Sequence, residues 1–150
     1  MDNNHPILPG ECSAIDHIAI AVNSIDLARG LYELLGGVAA VRESVAEQGV
    51  TVLPISFVGS RVELLEPLGE SSPVRRFIAR RGEGLHHIAI RVNDICSALE
   101  DCKRSGLKAI DNEPRHGAEG RLIAFLDPRT TGGVLIELTQ YREATHAVDR

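Results

Sequence analysis

HIAIAVNSIDLA at 17–28 and HIAIRVNDICSA at 87–98 are the two stretches that decide how this chain is read. They agree at eight of twelve positions, each opens with a histidine, and the second begins 70 residues after the first. A looser pair follows the same rhythm. RVELLEP at 61–67 and VLIELTQ at 134–140 both read as strands with a central glutamate, and Glu63 and Glu137 lie 74 residues apart. Self-similarity at a nearly constant spacing marks a structural unit written twice. Each copy supplies one histidine and one glutamate: His17 with Glu63, and His87 with Glu137.

The surrounding sequence gives each copy the same order of elements. IDHIAIAV (15–22) reads as a strand. Ser24 is placed to cap a helix over about 25–35 that carries Leu27, Leu31, Leu34 and Leu35 at helical spacing, and Gly36–Gly37 ends it. Three strand-like runs follow, near 38–46, 50–58 and 60–67. SSPVRRFIARRG (71–82) reads as a linking helix, with Pro73 near its first turn and Gly82 past its end. The second copy repeats the pattern: strand 85–92, a helix capped by Asp94 and carrying Ile95, Ala98, Leu99 and Cys102, then strands near 107–111, 121–127 and 133–140. The expected division is a flexible leader over 1–13, a first βαβββ module over 14–70, the linking helix over 71–83, a second βαβββ module over 84–141 and a tail over 142–150. A four-stranded sheet cannot cover both its faces alone, so the modules must share a core. The expected fold class is α+β, with two βαβββ modules forming one curved mixed sheet around a central cleft and helices outside.

Strand alternation assigns the side chains to faces, because successive residues point to opposite sides. Ile18, Ile20 and Val22 share one face and suit helix packing; His17, Ala19 and Ala21 share the other. In the second copy Ile88, Ile90 and Val92 oppose His87, Ala89 and Arg91, and strict alternation turns His86 away from His87. Each ligand candidate has an alanine as its neighbour on the same face, which leaves room for a ligand. Glu63 and Glu137 likewise avoid the aliphatic face of their own strands. Burying a carboxylate without a partner costs several kcal/mol, so two of them on inward faces call for a cation, a metal or a strong hydrogen bond. Imidazole nitrogen with carboxylate oxygen, and no thiolate, suits zinc, cobalt, nickel, iron or manganese. Four such ligands on an octahedral ion leave two positions open to a substrate with two oxygens, whereas structural zinc sites are closed and cysteine-rich.

Composition removes several function classes. A hydrophobic share of 43% and a charged share of 25% belong to a globular chain rather than a disordered one. A net charge of −5 gives no footprint for nucleic acid, and no apolar run is long enough to span a membrane. The leader MDNNHPILPGECS lacks the features of a signal or transit peptide. Cys12, Cys96 and Cys102 are odd in number and have no C-x-x-C spacing, which is the pattern of reduced thiols in a cytoplasmic protein.

The repeat with His17, Glu63, His87 and Glu137 resembles the vicinal oxygen chelate, or glyoxalase I-like, superfamily. Within it the chain is similar to the methylmalonyl-CoA epimerases. The matching stretches are IDHIAIAV, EQGV (47–50), VELLEP (62–67), RRGEGLHHIAIRVNDI (80–95), DNEPRHGAEG (111–120) and IAFLDPRTTGGVLIELTQ (123–140). The resemblance implies a metal-dependent epimerase that interconverts the C2 epimers of methylmalonyl-CoA through an enolate. It implies His17, Glu63, His87 and Glu137 as metal ligands, Glu137 as one base, a divalent ion (cobalt favoured; zinc, nickel or manganese possible), an acyl-CoA substrate and a homodimer. Some epimerases place a glutamate on the strand after EQGV, where this chain has Val52; the symmetric Glu63 is then the candidate for second base, with Glu47 behind it. Arg91, Arg115, His116, Arg121 and Arg129 are candidates to meet a carboxylate, phosphate or nucleotide. The rival readings are glyoxalase I with the same ligand set, an extradiol-type dioxygenase needing only two histidines and one glutamate, and a metal-free binding module of the same fold.

Overall fold

The computed structural model describes residues 14–142, so the expected leader over 1–13 and nearly all of the tail over 142–150 lie outside the described residues. The first half runs β1 (Ala14–Ala21), α1 (Ile25–Leu34), β2 (Val38–Ala39), β3 (Glu43–Val45), β4 (Val50–Phe57) and β5 (Ser60–Pro67). After α2 (Pro73–Arg81) come β6 (Gly84–Arg91), α3 (Ile95–Arg104), β7 (Arg115–His116), β8 (Leu122–Leu126) and β9 (Ile136–Gln140). The caps lie where the sequence puts them. The Ser24 hydroxyl accepts from the Leu27 N–H at 3.3 Å, and the Asp94 carboxylate accepts from the Ser97 N–H at 3.0 Å.

All strands join one curled mixed sheet in the order β2-β4-β5-β1-β6-β9-β8-β7, with β3 also paired to β4. The two copies meet at the antiparallel pair β1–β6, and each central strand has a parallel neighbour from its own half. The registers mirror each other. His17 lies opposite Ala89 and His87 opposite Ala19, while Ala19 pairs with Glu63 and Ala89 with Glu137. The alanines therefore stand between the four polar side chains and hold them around a common centre.

Three apolar clusters fix this arrangement. On the outer face of the first half, Val22, Ile25, Leu53, Ile55 and Leu64 pack together, joined by Ala28 and Tyr32 of α1. On the outer face of the second half, Val92, Ala124, Leu126 and Leu138 pack under Ile95, Ala98, Leu99 and Cys102 of α3. The third cluster lies on the histidine-bearing face: Val74, Phe77 and Ile78 of α2 cover Ala19, Ala21, Val50, Val52 and Leu65. The linking helix thus closes one end of the inner face, while α1 and α3 stay outside.

The structure departs from the sequence expectation in three places. The run 38–46 splits into two short strands, β2 and β3. The run 107–111 is reduced to a single bridge between Ala109 and Leu126. There the Asp111 carboxylate accepts from the Phe125 N–H at 2.8 Å, so a side chain takes the place of the next ladder bond. Third, the leucine row of α1 faces outward: Leu27, Leu31 and Leu34 are 87%, 58% and 84% exposed, and only Ile25 of that helix is fully buried. The chain leaves α1 through Gly36, at a φ of 97° that favours glycine, and Gly37, where a Cβ would lie 2.5 Å from Ile55 Cγ2.

Candidate metal centre

His17 and His87, on adjacent strands, and Glu63 and Glu137, on the strands flanking them, converge on the inner face, and all four are between 1% and 6% exposed. His17 Nε2 lies 3.2 Å from Glu63 Oε2 and 3.9 Å from Glu137 Oε1, and His87 Nε2 lies 3.2 Å from Glu137 Oε2. Candidate ligand atoms of His17, His87 and Glu137 all fall within 4.8 Å of one another, so these three can hold a metal ion. Glu63 adjoins the group on the His17 side.

Two observations test the fit of a cation. Both Nε2 atoms are buried without a hydrogen-bond partner. Such atoms are rare unless an ion or water answers them. The charge balance points the same way. Asp16, Glu63 and Glu137 are buried carboxylates, and Arg121 is the one fully buried arginine among the described residues. Arg121 Nη2 donates to Glu63 Oε1 at 2.8 Å, and Arg61 Nη2 lies 3.0 Å from the same oxygen. Among the described residues Glu137 has no comparable guanidinium contact; a divalent ion held by His17, His87 and Glu137 would supply the missing positive charge. Burial pushes the Glu137 carboxyl up, but its neighbours His87, His17 and Arg121 outweigh it and leave the group below its ordinary value.

Around this centre lies a shell that the sequence reading missed. Two one-residue bulges interrupt the β1–β6 ladder. The pairing steps from Ile15 to His17 on β1 opposite Ile90 and Ala89, passing over Asp16; on β6 it steps from His87 to Leu85 opposite Ala19 and Ile20, passing over His86. An extra residue in one strand breaks the alternation of faces. Asp16 Oδ2 consequently reaches His17 Nδ1 at 2.7 Å, and His86 Nδ1 reaches His87 Nδ1 at 2.9 Å. The expectation that His86 turns away from His87 is corrected here: its ring contacts that of His87 and stacks edge-on against Phe77 of α2. Burial, reinforced by His87, pushes the His86 imidazole down to about 4. Asp16 accepts further bonds from Arg91 Nη2 at 2.7 Å, Arg121 Nη1 at 3.2 Å and the Tyr141 hydroxyl at 3.1 Å. Burial raises its pKa, but the bonds from His17, Arg91 and Tyr141 outweigh it and hold the carboxyl well below the usual carboxylate range. A signal for both residues was present: each is a polar residue in the aliphatic phase of its strand, immediately before a repeated histidine.

None of the remaining candidates is among the converging four. Val52 is part of the apolar wall with Leu65 and Ala21, and Glu47 is exposed in a short turn. Arg121 is buried as the brace just described, and Arg91 is committed to Asp16 and to the Tyr141 ring, 4.3 Å from its centroid. Arg115 pairs with Asp111, and Arg129 with Asp127. His116 is exposed, and its carbonyl accepts from Gln48.

The sequence model of the Glyoxalase/Bleomycin resistance protein/Dioxygenase superfamily matches residues 16–125. The chain belongs to this superfamily. It is 36% identical to the mitochondrial methylmalonyl-CoA epimerase of Homo sapiens over 84% of this chain and 73% of that protein. It is also 36% identical to an ethylmalonyl-CoA/methylmalonyl-CoA epimerase of Cereibacter sphaeroides, over 84% of this chain and 96% of that one. Among solved structures, a variant of the Streptomyces coelicolor methylmalonyl-CoA epimerase in complex with 2-nitronate-propionyl-CoA superposes with a TM-score of 0.80 at 35% identity, covering 86% of this chain and 97% of that chain. No helix among the described residues is long and apolar enough to cross a membrane.

Proposed function

We propose that this protein is a metal-dependent methylmalonyl-CoA epimerase. The observation that carries the reading is the convergence of His17, His87 and Glu137, with Glu63 beside them, in a chain that is 36% identical to epimerases over 84% of its length. In this reading the two modules, 14–70 and 84–141, each give one histidine and one glutamate to the ion, with Glu63 as fourth ligand. Cobalt is the favoured metal, with zinc, nickel or manganese as alternatives. The ion supplies Lewis-acid stabilisation to the enolate oxygen formed when the acidic C2 proton leaves.

The chain's own residues divide the proton transfers. Glu137 takes the C2 proton on one face; its carboxylate has no arginine partner within bonding distance and is kept ionised by its surroundings. Glu63 is the candidate on the other face: once protonated by solvent it would return a proton to C2, so that configuration inverts and the substrate gains or loses no net proton, and Glu137 then releases its proton to solvent. The acyl-CoA substrate binds on the inner face, toward the four converging side chains. The exposed leucine row of α1 supports a homodimer, and the free thiols Cys96 and Cys102 fit a reducing, cytoplasmic setting.

The test uses purified protein and one epimer of methylmalonyl-CoA in deuterated water, with and without a chelator. Interconversion with deuterium at C2, abolished by the chelator and restored by Co(II), is the expected result. Turnover of the methylglyoxal–glutathione adduct in place of the CoA ester would move the assignment to glyoxalase I. The same assay with ethylmalonyl-CoA reads the acyl pocket, where one methylene is worth about 1–3 kcal/mol.

A further inference from the structure

Each histidine ligand is preceded by the residue that reaches its outer nitrogen, and the two cases lie 70 positions apart, at 16 and 86. In a regular strand neighbouring side chains point to opposite faces and such contacts do not form. Here a bulge at Asp16 and another at His86 turn both residues onto the inner face. We propose that Asp16 and His86 are positioning residues for His17 and His87, each accepting a hydrogen bond from the Nδ1–H of the histidine that follows it and so aiming that ring's Nε2 lone pair at the ion. The inference rests on the metal reading and deepens it.

Two groups compete for His17 Nδ1: the Asp16 carboxylate at 2.7 Å, which accepts, and Arg121 Nη1 at 3.3 Å, which can only donate. The shorter contact places the proton on Nδ1, and Nε2 is left as a lone pair facing Glu63 and Glu137. Arg91, Arg121 and Tyr141 all donate to the same carboxylate and fix its orientation. Arg121 also holds Glu63, so one buried guanidinium from the second half braces both ligands of the first. At His86 one of the two facing Nδ1 atoms must carry the proton. A lone pair on His87 Nε2 requires it to lie on His87, with His86 accepting. The His87 ring is steadied by Phe125, edge-on at 5.1 Å between centroids. Outer-shell acceptors of this kind fix the tautomer and raise ligand basicity, and their loss typically weakens metal binding about 10–100-fold.

The experiment reads tautomer and affinity rather than turnover. Histidine nitrogens of the metal-free protein, labelled with nitrogen-15, report which nitrogen carries the proton; chelator competition gives the Co(II) dissociation constant. Wild type should show His17 and His87 protonated at Nδ1. Asp16→Ala and His86→Leu should each lose that preference at the adjacent ring and bind Co(II) about 10–100-fold more weakly. Asp16→Asn and His86→Asn, which keep an oxygen acceptor near the same place, should fold if the larger changes do not and should recover much of the loss. Wild-type tautomers together with Co(II) affinity within about twofold of wild type in Asp16→Ala and His86→Leu, or no rescue by the asparagine variants, overturns the inference alone. A wild-type protein that retains no Co(II) overturns the metal reading and this inference with it.

Discussion

The two halves of the molecule present matching ligands in different surroundings. His17 and Glu63 are braced by charge: Asp16 on the histidine, Arg121 and Arg61 on the glutamate. His87 and Glu137 are framed by rings instead, with His86 and Phe125 against His87 and no guanidinium contact on Glu137. The same repeat therefore yields one side whose carboxylate is pinned by two arginines and one whose carboxylate is left free of them for the role proposed above. The lesson is that duplication copied the ligand atoms but not the electrostatics, and a symmetric site can carry unequal chemistry.

The largest effect expected is loss of the ion itself. His17→Ala and His87→Ala should each lose stoichiometric metal and epimerisation, as measured by elemental analysis and assay. Retention of metal by one of them would mean that the other half binds alone. Next come the two glutamates, because glutamine keeps an oxygen ligand and loses the base. Glu137→Gln should slow epimerisation by about 10²–10⁴-fold while leaving the ion in place. If Glu63 is the second base, Glu63→Gln should still exchange the C2 proton of one epimer with deuterated water, and Glu137→Gln that of the other. Epimerisation at the wild-type rate in Glu63→Gln would leave Glu63 as a ligand pinned by its arginines.

The brace should register in stability. Arg121→Met strands the Asp16 and Glu63 carboxylates in the interior, and breaking such a buried pair costs about 3–5 kcal/mol. Arg91 meets the same Asp16, but its side chain is 49% exposed, so Arg91→Ala should cost under about 1 kcal/mol in a urea melt. Equal losses would remove the distinction between the two arginines. The smallest effect on folding concerns the helices. α3 buries Ile95, Ala98, Leu99 and Cys102, whereas α1 turns Leu27, Leu31 and Leu34 outward. Leu31→Glu with Leu34→Glu should change unfolding free energy by about 0.5 kcal/mol per site yet shift a homodimer to monomer in analytical ultracentrifugation. An unchanged sedimentation coefficient would place any dimer contact elsewhere.

What the sequence by itself determined were the features that depend on local spacing. The repeat announced two copies, the period of two put His17 with Ala19 and His87 with Ala89, and Ser24 and Asp94 marked their helices, because strand phase and helix capping involve residues only a few positions apart. The four polar residues on inward faces were legible for the same reason. Tertiary structure alone decided the rest. A bulge is a property of a pair of strands, so only the β1–β6 register could turn Asp16 and His86 inward. Arg121 lies 58 residues from Glu63 and 105 from Asp16, and nothing in its own neighbourhood distinguishes it from a surface arginine. The leucines of α1 carry the periodicity of a buried face, but the side of the helix that meets the sheet is the one bearing Ile25, Ala28 and Tyr32. Periodicity reports that a helix has an apolar side; only packing reports what that side touches.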